Sequence, residues 1–215
     1  MNSYLFGALA LGISLGASSF AEPVNDTNLD PKTDTPGLTV GEQAPTGFSL
    51  TTVDNKPVAL ESLWADGPVV ITFYRGGWCP YCTKELAKWE PKLSEVDSLG
   101  ADFVAITMEK PDAAQKTGAK HAEHLRILSD VDGDVSRAFR LAFSLDAKTV
   151  SRYKGFGIDL ATNNANGEWE LPAPGTYVID ETGAIRYAWA SWDYSKRAPI
   201  DEVMKAVRTV ASEQR

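Results

Sequence analysis

Short apolar runs alternate with amphipathic stretches from Leu38 to the end of the chain. The runs PVVITFY (68–74) and ADFVAIT (101–107) are continuous and rich in β-branched residues, which is typical of strands buried on both faces. A polar turn at 54–56 between two further runs predicts a hairpin. The complete set of predicted strands is 48–53, 57–60, 68–74, 101–107, 126–130, 176–180 and 184–190.

Amphipathic spacing predicts helices between these strands. The first begins near Pro80 and continues to Val96, with Leu86 and Trp89 on one face, and Pro91 should bend it. The other predicted helices cover 112–124, 132–139 and 199–211. Because strands alternate with helices, we expect an α/β fold with a mainly parallel sheet, helices on both faces and an antiparallel final hairpin.

The first 21 residues contain no charged side chain, are apolar from Tyr4 to about Leu15 and end in the small-x-small sequence of Ser19 and Ala21. This pattern predicts a signal peptide over 1–21, although the usual Lys or Arg near the start is missing. We therefore expect the mature protein to be periplasmic or secreted. An uncleaved membrane anchor is the alternative, because the apolar run is near the lower length limit for a spanning helix.

Composition changes abruptly along the rest of the chain. Residues 22–37 are rich in proline and acidic residues, which predicts a flexible linker, and 38–215 should form a single domain. Lysine and arginine number 21 against 29 Asp and Glu, giving a net charge of −8. Because this charge repels phosphates and anionic lipid headgroups, we expect no nucleic acid partner and no membrane partner after signal cleavage.

The stretch FYRGGWCPYC (73–82) holds both cysteines of the chain, Cys79 and Cys82. As a structural disulfide the pair would contribute little, about 2 kcal/mol, because its loop is so short. As a metal site it would need further ligands, and the candidates His121 and His124 lie far along the chain. A solvated helix face explains the histidines more simply.

The position of the pair favours a redox role. A strand ends just before it, and Pro80 is typical of a first helical turn, so Cys79 should lie at a helix N-terminus where amide groups stabilise a thiolate. Cys82, one turn further on the same face, lies within reach of a disulfide and should resolve an intermediate formed at Cys79. Glu85 projects from the same face and is a candidate acceptor for the proton of Cys82; the alternative is an ordinary surface glutamate.

The chain resembles the peroxiredoxin-like AhpC/TSA (redoxin) family of the thioredoxin-fold superfamily over residues 38–212. The segments that carry the resemblance are VGEQAPTGFSLTTVDNKPVAL, FYRGGWCPYC, LPAPGTYVIDETGAIRYAW and SWDYSKRAP. The resemblance implies a three-layer sandwich with a central mixed sheet and an N-terminal hairpin. It also implies a cis-proline at Pro174, opposite the cysteines. The expected substrate face comprises Arg75, Trp78, Pro80, Tyr81 and Pro174.

Two features of the family pattern are missing. Peroxiredoxins activate a peroxide with a Thr or Ser three residues before the cysteine and with an arginine before a later strand; here Gly76 and Pro174 stand at those places. Thr72, seven before Cys79, stands in place of the proline that begins the loop. Arg75 is a candidate for supplying a cation from another direction.

These departures favour a thiol–disulfide oxidoreductase in which Cys79 attacks a disulfide or a hydroperoxide, Cys82 resolves the intermediate, and a thioredoxin-like dithiol donor reduces the resulting disulfide. A thioredoxin-dependent thiol peroxidase is the alternative. A more distant one is a Cu(I) chaperone of the Sco type, whose cysteines are normally spaced by three and which needs a histidine near the Pro174 loop. No cofactor or metal is expected.

Overall fold

The computed structural model describes residue 31 and residues 34–213, and it arranges this part of the chain around a mixed β-sheet. The strands are β1 (Ser49–Thr52), β2 (Pro57–Ala59), β3 (Val69–Phe73), β4 (Asp102–Thr107), β5 (Arg126–Ser129), β6 (Ala142–Ser144), β7 (Glu170–Pro172), β8 (Gly175–Ile179) and β9 (Ile185–Ala190). Seven of them form the main sheet in the order β2-β1-β5-β4-β3-β8-β9, and β6 pairs with β7. Strands β3, β4 and β5 are parallel, whereas β8 and β9 form the antiparallel hairpin that the sequence predicts.

The helices are α1 (Pro80–Trp89), α2 (Leu93–Ser98), α3 (Pro111–His121), α4 (Asp134–Ala138), α5 (Ala147–Gly155), α6 (Leu160–Asn163) and α7 (Ile200–Glu213). The predicted helix over 80–96 is in fact divided into α1 and α2 by a 3₁₀ turn, Glu90–Lys92. Pro91 lies in this turn because it has no N–H to continue the α-helical hydrogen bonds. The helix predicted over 112–124 ends earlier, at His121.

Both faces of the sheet are covered, which confirms the three-layer α/β sandwich. Along β3, Val69 and Ile71 belong to one buried cluster and Val70 to the other, as expected when successive side chains point to opposite faces. Residues of α1, α2, α3 and α7 pack on the Val70 side. The 3₁₀ helix Leu60–Trp64 and helix α4 pack on the opposite side.

Residues 141–172 contain four elements that the sequence pattern does not predict: β6, α5, α6 and β7. These elements are short, and α5 has no fully buried residue, although Thr149, Val150 and Tyr153 are half-buried. Asp146 caps α5 by accepting a hydrogen bond from the Thr149 N–H at 2.7 Å. The α6 end of this segment pairs with the residues that follow β4, where Lys110 N–H donates to the Asn163 carbonyl at 3.0 Å.

One edge of the sheet gathers several connections that carry polar side chains. The parallel strands β3 and β4 both end there, leading to Cys79 and to Glu109. Since β8 runs antiparallel to β3, Pro174 precedes its first residue at this edge, and β9 returns to it before the loop 191–199. The topology therefore brings chain segments that are far apart in sequence to the cysteine pair.

The predicted signal peptide and residues 22–30, 32 and 33 of the predicted linker lie outside the described residues. Within residues 34–37, Gly37 is buried and its N–H donates to the Arg140 carbonyl at 2.8 Å. The domain boundary drawn after residue 37 stays a prediction, but Gly37 itself already packs against the domain. In the described part of the chain, no helix has the length and apolar character needed to cross a membrane.

Candidate active site

Cys79 lies at the N-terminus of α1, directly after the turn that follows β3, as the sequence predicts. It is the N-cap residue, with φ −92° and ψ 111°, and Pro80 begins the helix. The preceding turn requires glycine, because Gly76 has φ 142° and a Cβ there would lie 2.3 Å from Trp78 Nε1. The Cys79 carbonyl accepts the N–H of Cys82 at 3.0 Å, so the backbone of Cys79 provides the acceptor for the first turn of the helix.

The two cysteine sulfurs lie side by side. Cys82 Sγ donates a hydrogen bond to Cys79 Sγ at 2.7 Å, and the two residues are only 0% and 2% exposed. This hydrogen bond lowers the pKa of Cys79 to about 6 against the opposing effect of burial, and the positive charges of Arg75 and Arg197 also contribute. Burial raises the pKa of Cys82 well above its usual value. The arrangement can therefore present Cys79 as a thiolate nucleophile and keep Cys82 as a protonated thiol.

Arg75 is buried beside the cysteines, with an exposure of only 4%. Its guanidinium lies over the rings of Trp78, Tyr153 and Tyr194, at 5.2, 5.7 and 4.8 Å from their centroids, and one terminal nitrogen donates to the Tyr153 hydroxyl. Its Nε has no hydrogen-bond partner among the described residues. Aromatic faces thus fix the guanidinium where its charge acts on Cys79.

Arg197, in the loop between β9 and α7, is a site residue that the sequence does not single out. One terminal nitrogen donates to Cys82 Sγ at 3.0 Å. The other donates to the backbone carbonyls of Tyr194 and Lys196 at 2.8 and 2.5 Å. This contact spans 115 positions of the chain, so local pattern carries no signal for it.

Glu85 lies on α1 and is buried, contrary to what an ordinary surface glutamate would show. Burial raises the pKa of its carboxyl group. Its Oε1 accepts a hydrogen bond from Trp89 Nε1 at 3.1 Å, one turn further along the helix, rather than from Cys82. The environment suits a group that holds or moves a proton, but its predicted role toward Cys82 stays a prediction.

Glu109, two residues after the end of β4, is a second site residue that the sequence analysis does not identify. Both carboxylate oxygens accept the Gly77 N–H at 3.0 Å, in the turn just before Cys79. Burial raises the pKa of Glu109 to about 7. Its position after a buried parallel strand is a usable signal, because the carboxyl ends of β3 and β4 must share one edge of the sheet.

The predicted substrate face is assembled in part. Trp78 is half-buried, whereas Pro80 and Tyr81 are exposed at the start of α1. Tyr81 packs edge-on against Tyr194 with ring centroids 5.7 Å apart, and these two rings are 46% and 50% exposed. Exposed aromatic side chains therefore lie at the start of α1, and Tyr194 also contacts the guanidinium of Arg75.

The prediction of a cis peptide bond before Pro174 is wrong, because the described residues contain no cis peptide bond. Pro174 is buried, and its carbonyl accepts the Ser191 N–H at 3.1 Å. This carbonyl is therefore used to join β8 to the residue that follows β9, and is already paired within the protein. The residue lies at the site edge of the sheet, and its predicted contact with substrate stays a prediction.

The histidines do not join the cysteines in a ligand set. His124 Nδ1 lies 2.6 Å from Glu90 Oε1, beyond the end of α3. Among the described residues, no three His, Cys, Asp or Glu side chains are placed to hold one metal ion. The donor set that a copper chaperone would need is thus not assembled in this part of the chain.

Comparison with known proteins gives one family. Residues 40–188 match the model of the AhpC/TSA family. Among curated proteins, the chain is 24% identical over 168 residues to the chloroplastic peroxiredoxin Q of Populus jackii, covering 78% of this chain and 68% of that protein. It is also 24% identical over 152 residues to a putative peroxiredoxin bcp of Coxiella burnetii, covering 71% of this chain and 88% of the relative.

Solved structures agree on the fold. The peroxidoxin BcpB of Mycobacterium tuberculosis superposes with a TM-score of 0.64 at 22% identity, over 80% of this chain and 98% of that one. The bacterioferritin comigratory protein of Xanthomonas campestris, whose structures address alkyl peroxide reduction, gives a TM-score of 0.61 at 20% identity, over 81% and 99% of the two chains.

Proposed function

The chain belongs to the AhpC/TSA family of thiol oxidoreductases, and on this premise we propose that Cys79 reduces a small hydroperoxide and that Cys82 resolves the product. The observation that carries the proposal is the burial of the nucleophile: Cys79 is 2% exposed in the reduced protein. A hydroperoxide needs only to bring its terminal oxygen to the sulfur. A protein disulfide would have to bring a folded surface within bonding distance of it.

The charges around the pair support the same acceptor. When a thiolate attacks a hydroperoxide, the O–O bond breaks and negative charge develops on the departing oxygen. Arg75 lies close enough to lower the pKa of Cys79 and holds its guanidinium in place with three aromatic rings. We infer that Arg75 takes the part of the arginine that this chain lacks at Pro174.

The family threonine has no counterpart in the turn. Thr72, in β3, is buried in the sheet, where its hydroxyl lies 3.0 Å from that of Thr176 and 3.3 Å from the Gly175 carbonyl. It is therefore committed to β8 and does not stand in for the missing hydroxyl. We expect slower peroxide reduction than a site with both family groups would give.

The proposed cycle has three balanced steps. The Cys79 thiolate takes the terminal oxygen of the hydroperoxide and becomes a sulfenic acid, while the departing oxygen gains a proton and leaves as an alcohol or as water. The Cys82 thiol then attacks the Cys79 sulfur, the S–O bond breaks, and water leaves as the disulfide forms. An external dithiol donor of the thioredoxin-like class, as peroxiredoxins use, exchanges with this disulfide and restores both thiols.

Thiol–disulfide exchange is the second candidate, and the closeness of the cysteines favours it. With 2.7 Å between the sulfurs, Cys82 is placed to release any mixed disulfide formed at Cys79. The acceptor would have to reach the buried sulfur of the reduced form. The two candidates share the nucleophile and the resolving thiol, and they differ in which oxidant reacts fast.

A stopped-flow comparison separates the acceptors. The reduced protein is mixed with hydrogen peroxide, with tert-butyl hydroperoxide or with a small disulfide-bonded protein that lacks tryptophan, such as insulin, and formation of the Cys79–Cys82 disulfide is followed by tryptophan fluorescence and mass spectrometry. We expect both hydroperoxides to oxidise the protein at least about tenfold faster than the disulfide. The reverse order would overturn the proposal in favour of disulfide exchange. Cys79→Ser is the control that should lose the signal with all three oxidants.

We also propose that the enzyme works outside the cytoplasm, in the periplasm or after secretion. The support is the apolar, uncharged sequence of residues 1–21 and its small-x-small ending. N-terminal sequencing of protein recovered from the exported fraction should begin at Glu22. Protein that starts at Met1 and stays in the cytoplasmic fraction would contradict this location.

A further inference from the structure

The loop between β9 and α7 places a cation directly on the resolving cysteine. Arg197 donates to Cys82 Sγ at 3.0 Å from one terminal nitrogen. Its other terminal nitrogen is fixed by the carbonyls of Tyr194 and Lys196. The guanidinium is thus oriented by its own loop before any reaction takes place, with one terminal nitrogen directed at Cys82 Sγ.

We propose that Arg197 is a catalytic residue of the second half-reaction, in which it stabilises the Cys82 sulfur as this sulfur gains negative charge and attacks the sulfenic acid of Cys79. The inference rests on the proposed function, since it needs Cys82 to be the resolving thiol. It assigns separate tasks to two arginines: Arg75 serves the attack on the hydroperoxide, and Arg197 serves disulfide formation.

The surroundings of Cys82 explain why it needs a cation. Its side chain is fully buried and belongs to the apolar cluster under α1, so water is not available to stabilise a thiolate. This burial raises the pKa of Cys82 well above its usual value, whereas the charge of Arg197 acts in the opposite direction. Because Arg197 offsets part of the effect of burial, it makes the Cys82 thiolate that the attack needs easier to form at neutral pH.

Several other titratable or charged groups face the same sulfur or act on it. Cys79 and Glu85 share its helix, and the negative charge of a Cys79 thiolate adds to the raised pKa of Cys82. Once Cys79 is a sulfenic acid, this repulsion is gone and the attraction to Arg197 remains. Among these groups, Cys79 adds to the raised pKa of Cys82 and the backbone N–H of Arg75 lowers it. Tyr74, directly after β3, interacts electrostatically with Cys82, and Glu85, on α1, interacts electrostatically with Arg197.

The atoms balance without any further reactant. Cys82 gives up its proton, its sulfur forms a bond to the sulfur of Cys79, and the S–O bond of the sulfenic acid breaks. The departing hydroxide combines with the proton and leaves as water. Cys82 carries no charge as the protonated thiol or in the disulfide product, so the attraction to Arg197 is specific to the negative charge that develops on the Cys82 sulfur during the attack.

The test separates the two chemical steps in a single turnover. Arg197→Gln keeps a hydrogen-bond donor and removes the charge, Arg197→Lys keeps the charge, and Lys84→Gln is the matched control on the exposed side of α1. Each reduced protein is mixed with tert-butyl hydroperoxide, and both phases are followed by fluorescence. Dimedone labelling at fixed times measures the sulfenic acid of Cys79.

We expect Arg197→Gln to slow the second phase at pH 7 at least about tenfold, the effect of one pKa unit from a neighbouring charge, and to accumulate dimedone-reactive Cys79. The first phase should change much less, because Arg197 contributes less than the Cys82 hydrogen bond and Arg75 to the lowered pKa of Cys79. Raising the pH should restore the second phase in this variant. Arg197→Lys should lie between Arg197→Gln and the unsubstituted protein.

A merely structural role for Arg197 would slow the second phase by the same factor at every pH, and that result overturns the inference. A second phase equal to that of Lys84→Gln overturns it as well. If Arg197→Gln does not fold, the same pH comparison is made on Arg197→Lys. A second phase that is slower than in Lys84→Gln at pH 7 and recovers as the pH rises supports the inference. A second phase that is slowed by the same factor at every pH overturns it. Failure of the proposed function would give a different result. If Cys82 is not the resolving thiol, the second phase in Cys82→Ser would be as fast as in the unsubstituted protein.

Discussion

Cys82 Sγ donates a hydrogen bond to Cys79 Sγ over 2.7 Å, and the surroundings of these two sulfurs move their pKa values in opposite directions. The first is set by a hydrogen bond from its neighbour, by nearby arginines and by the helix N-terminus, and the second by burial. One short motif therefore contains a nucleophile and a protonated thiol held in reserve. This division of roles can be tested at each residue that maintains it.

The ionisation of Cys79 should depend on the hydrogen bond from Cys82. We expect the alkylation rate of Cys79 by iodoacetamide to titrate with a midpoint at about pH 6. Cys82→Ala removes the donor and should move this midpoint up toward the usual cysteine range, whereas Cys82→Ser keeps a hydroxyl donor and should move it less. Equal midpoints in all three proteins, read from the alkylated peptide by mass spectrometry, would show that the hydrogen bond does not set the pKa.

Arg75 should accelerate the attack on the hydroperoxide. Arg75→Met removes the charge beside Cys79, so we expect the first oxidation phase to slow about tenfold at pH 7. Tyr153→Phe keeps the ring over the guanidinium and removes only the hydroxyl that accepts its hydrogen bond, so its effect should be smaller. The exposed neighbour Arg152→Met is the control for loss of charge on α5. An Arg75→Met protein that oxidises as fast as this control contradicts the role.

Local pattern accounts for the elements that bear the cysteines. The β-branched run of β3, the glycines after it and Pro80 together predict a strand, a turn and a helix start, and Cys79 lies at that helix start. These signals are local because the backbone conformation of each segment depends mainly on its own residues. Family resemblance adds the order of strands but misleads at Pro174, where the bond is trans.

The groups that surround the sulfurs come from segments that only the tertiary fold brings together. Glu109 reaches the turn because β3 and β4 are parallel neighbours, which the sequence predicts only in general terms. Tyr153 comes from α5, a helix with no fully buried residue, and Arg197 from a loop whose course depends on α7. Amphipathic periodicity has no means of placing such residues, because their positions follow from packing between distant elements.

Glu85 should assist the resolving step. Its carboxyl group is buried with a raised pKa, so Glu85→Gln removes a candidate proton acceptor for Cys82 while keeping the shape of the side chain. We expect the second oxidation phase to slow by about 100-fold, the lower end of what a general acid–base group contributes. Trp89→Phe removes the N–H that bonds to Glu85 and should raise its pKa further, shifting the pH profile of the second phase upward.

The exposed Glu181→Gln, in the turn between β8 and β9, is the matched control for Glu85→Gln. A second phase that proceeds at the control rate in Glu85→Gln would leave this carboxylate with a structural role only. The same measurement in Arg197→Gln indicates whether the two groups act on one step, since effects on a shared step need not add.

Glu109 should make the free energy of unfolding depend on pH in a defined window. Burial raises its pKa from 4.5 to about 7 in the folded protein. Between these values the folded state keeps a proton that the unfolded state has released, so rising pH favours unfolding. The contribution of this group should therefore fall as pH rises from about 4.5 to about 7, by roughly 3 kcal/mol at most.

Glu109→Gln isolates this contribution, because the amide oxygen still accepts the Gly77 N–H but cannot ionise. We expect the free energy of unfolding of the Gln variant, relative to the unsubstituted protein, to increase between pH 5 and pH 8 in urea titrations under reducing conditions. Other groups also titrate here, among them Asp130, with a pKa raised to about 6, and Cys79, with a pKa lowered to about 6. Asp130 is the same in both proteins and cancels in the difference, whereas Cys79 interacts electrostatically with Glu109, so the comparison is made in a Cys79→Ser background. The exposed Glu181→Gln should show no such trend, and a Glu109→Gln difference that is equal at pH 5 and pH 8 would mean that this carboxyl group ionises alike in the folded and unfolded states.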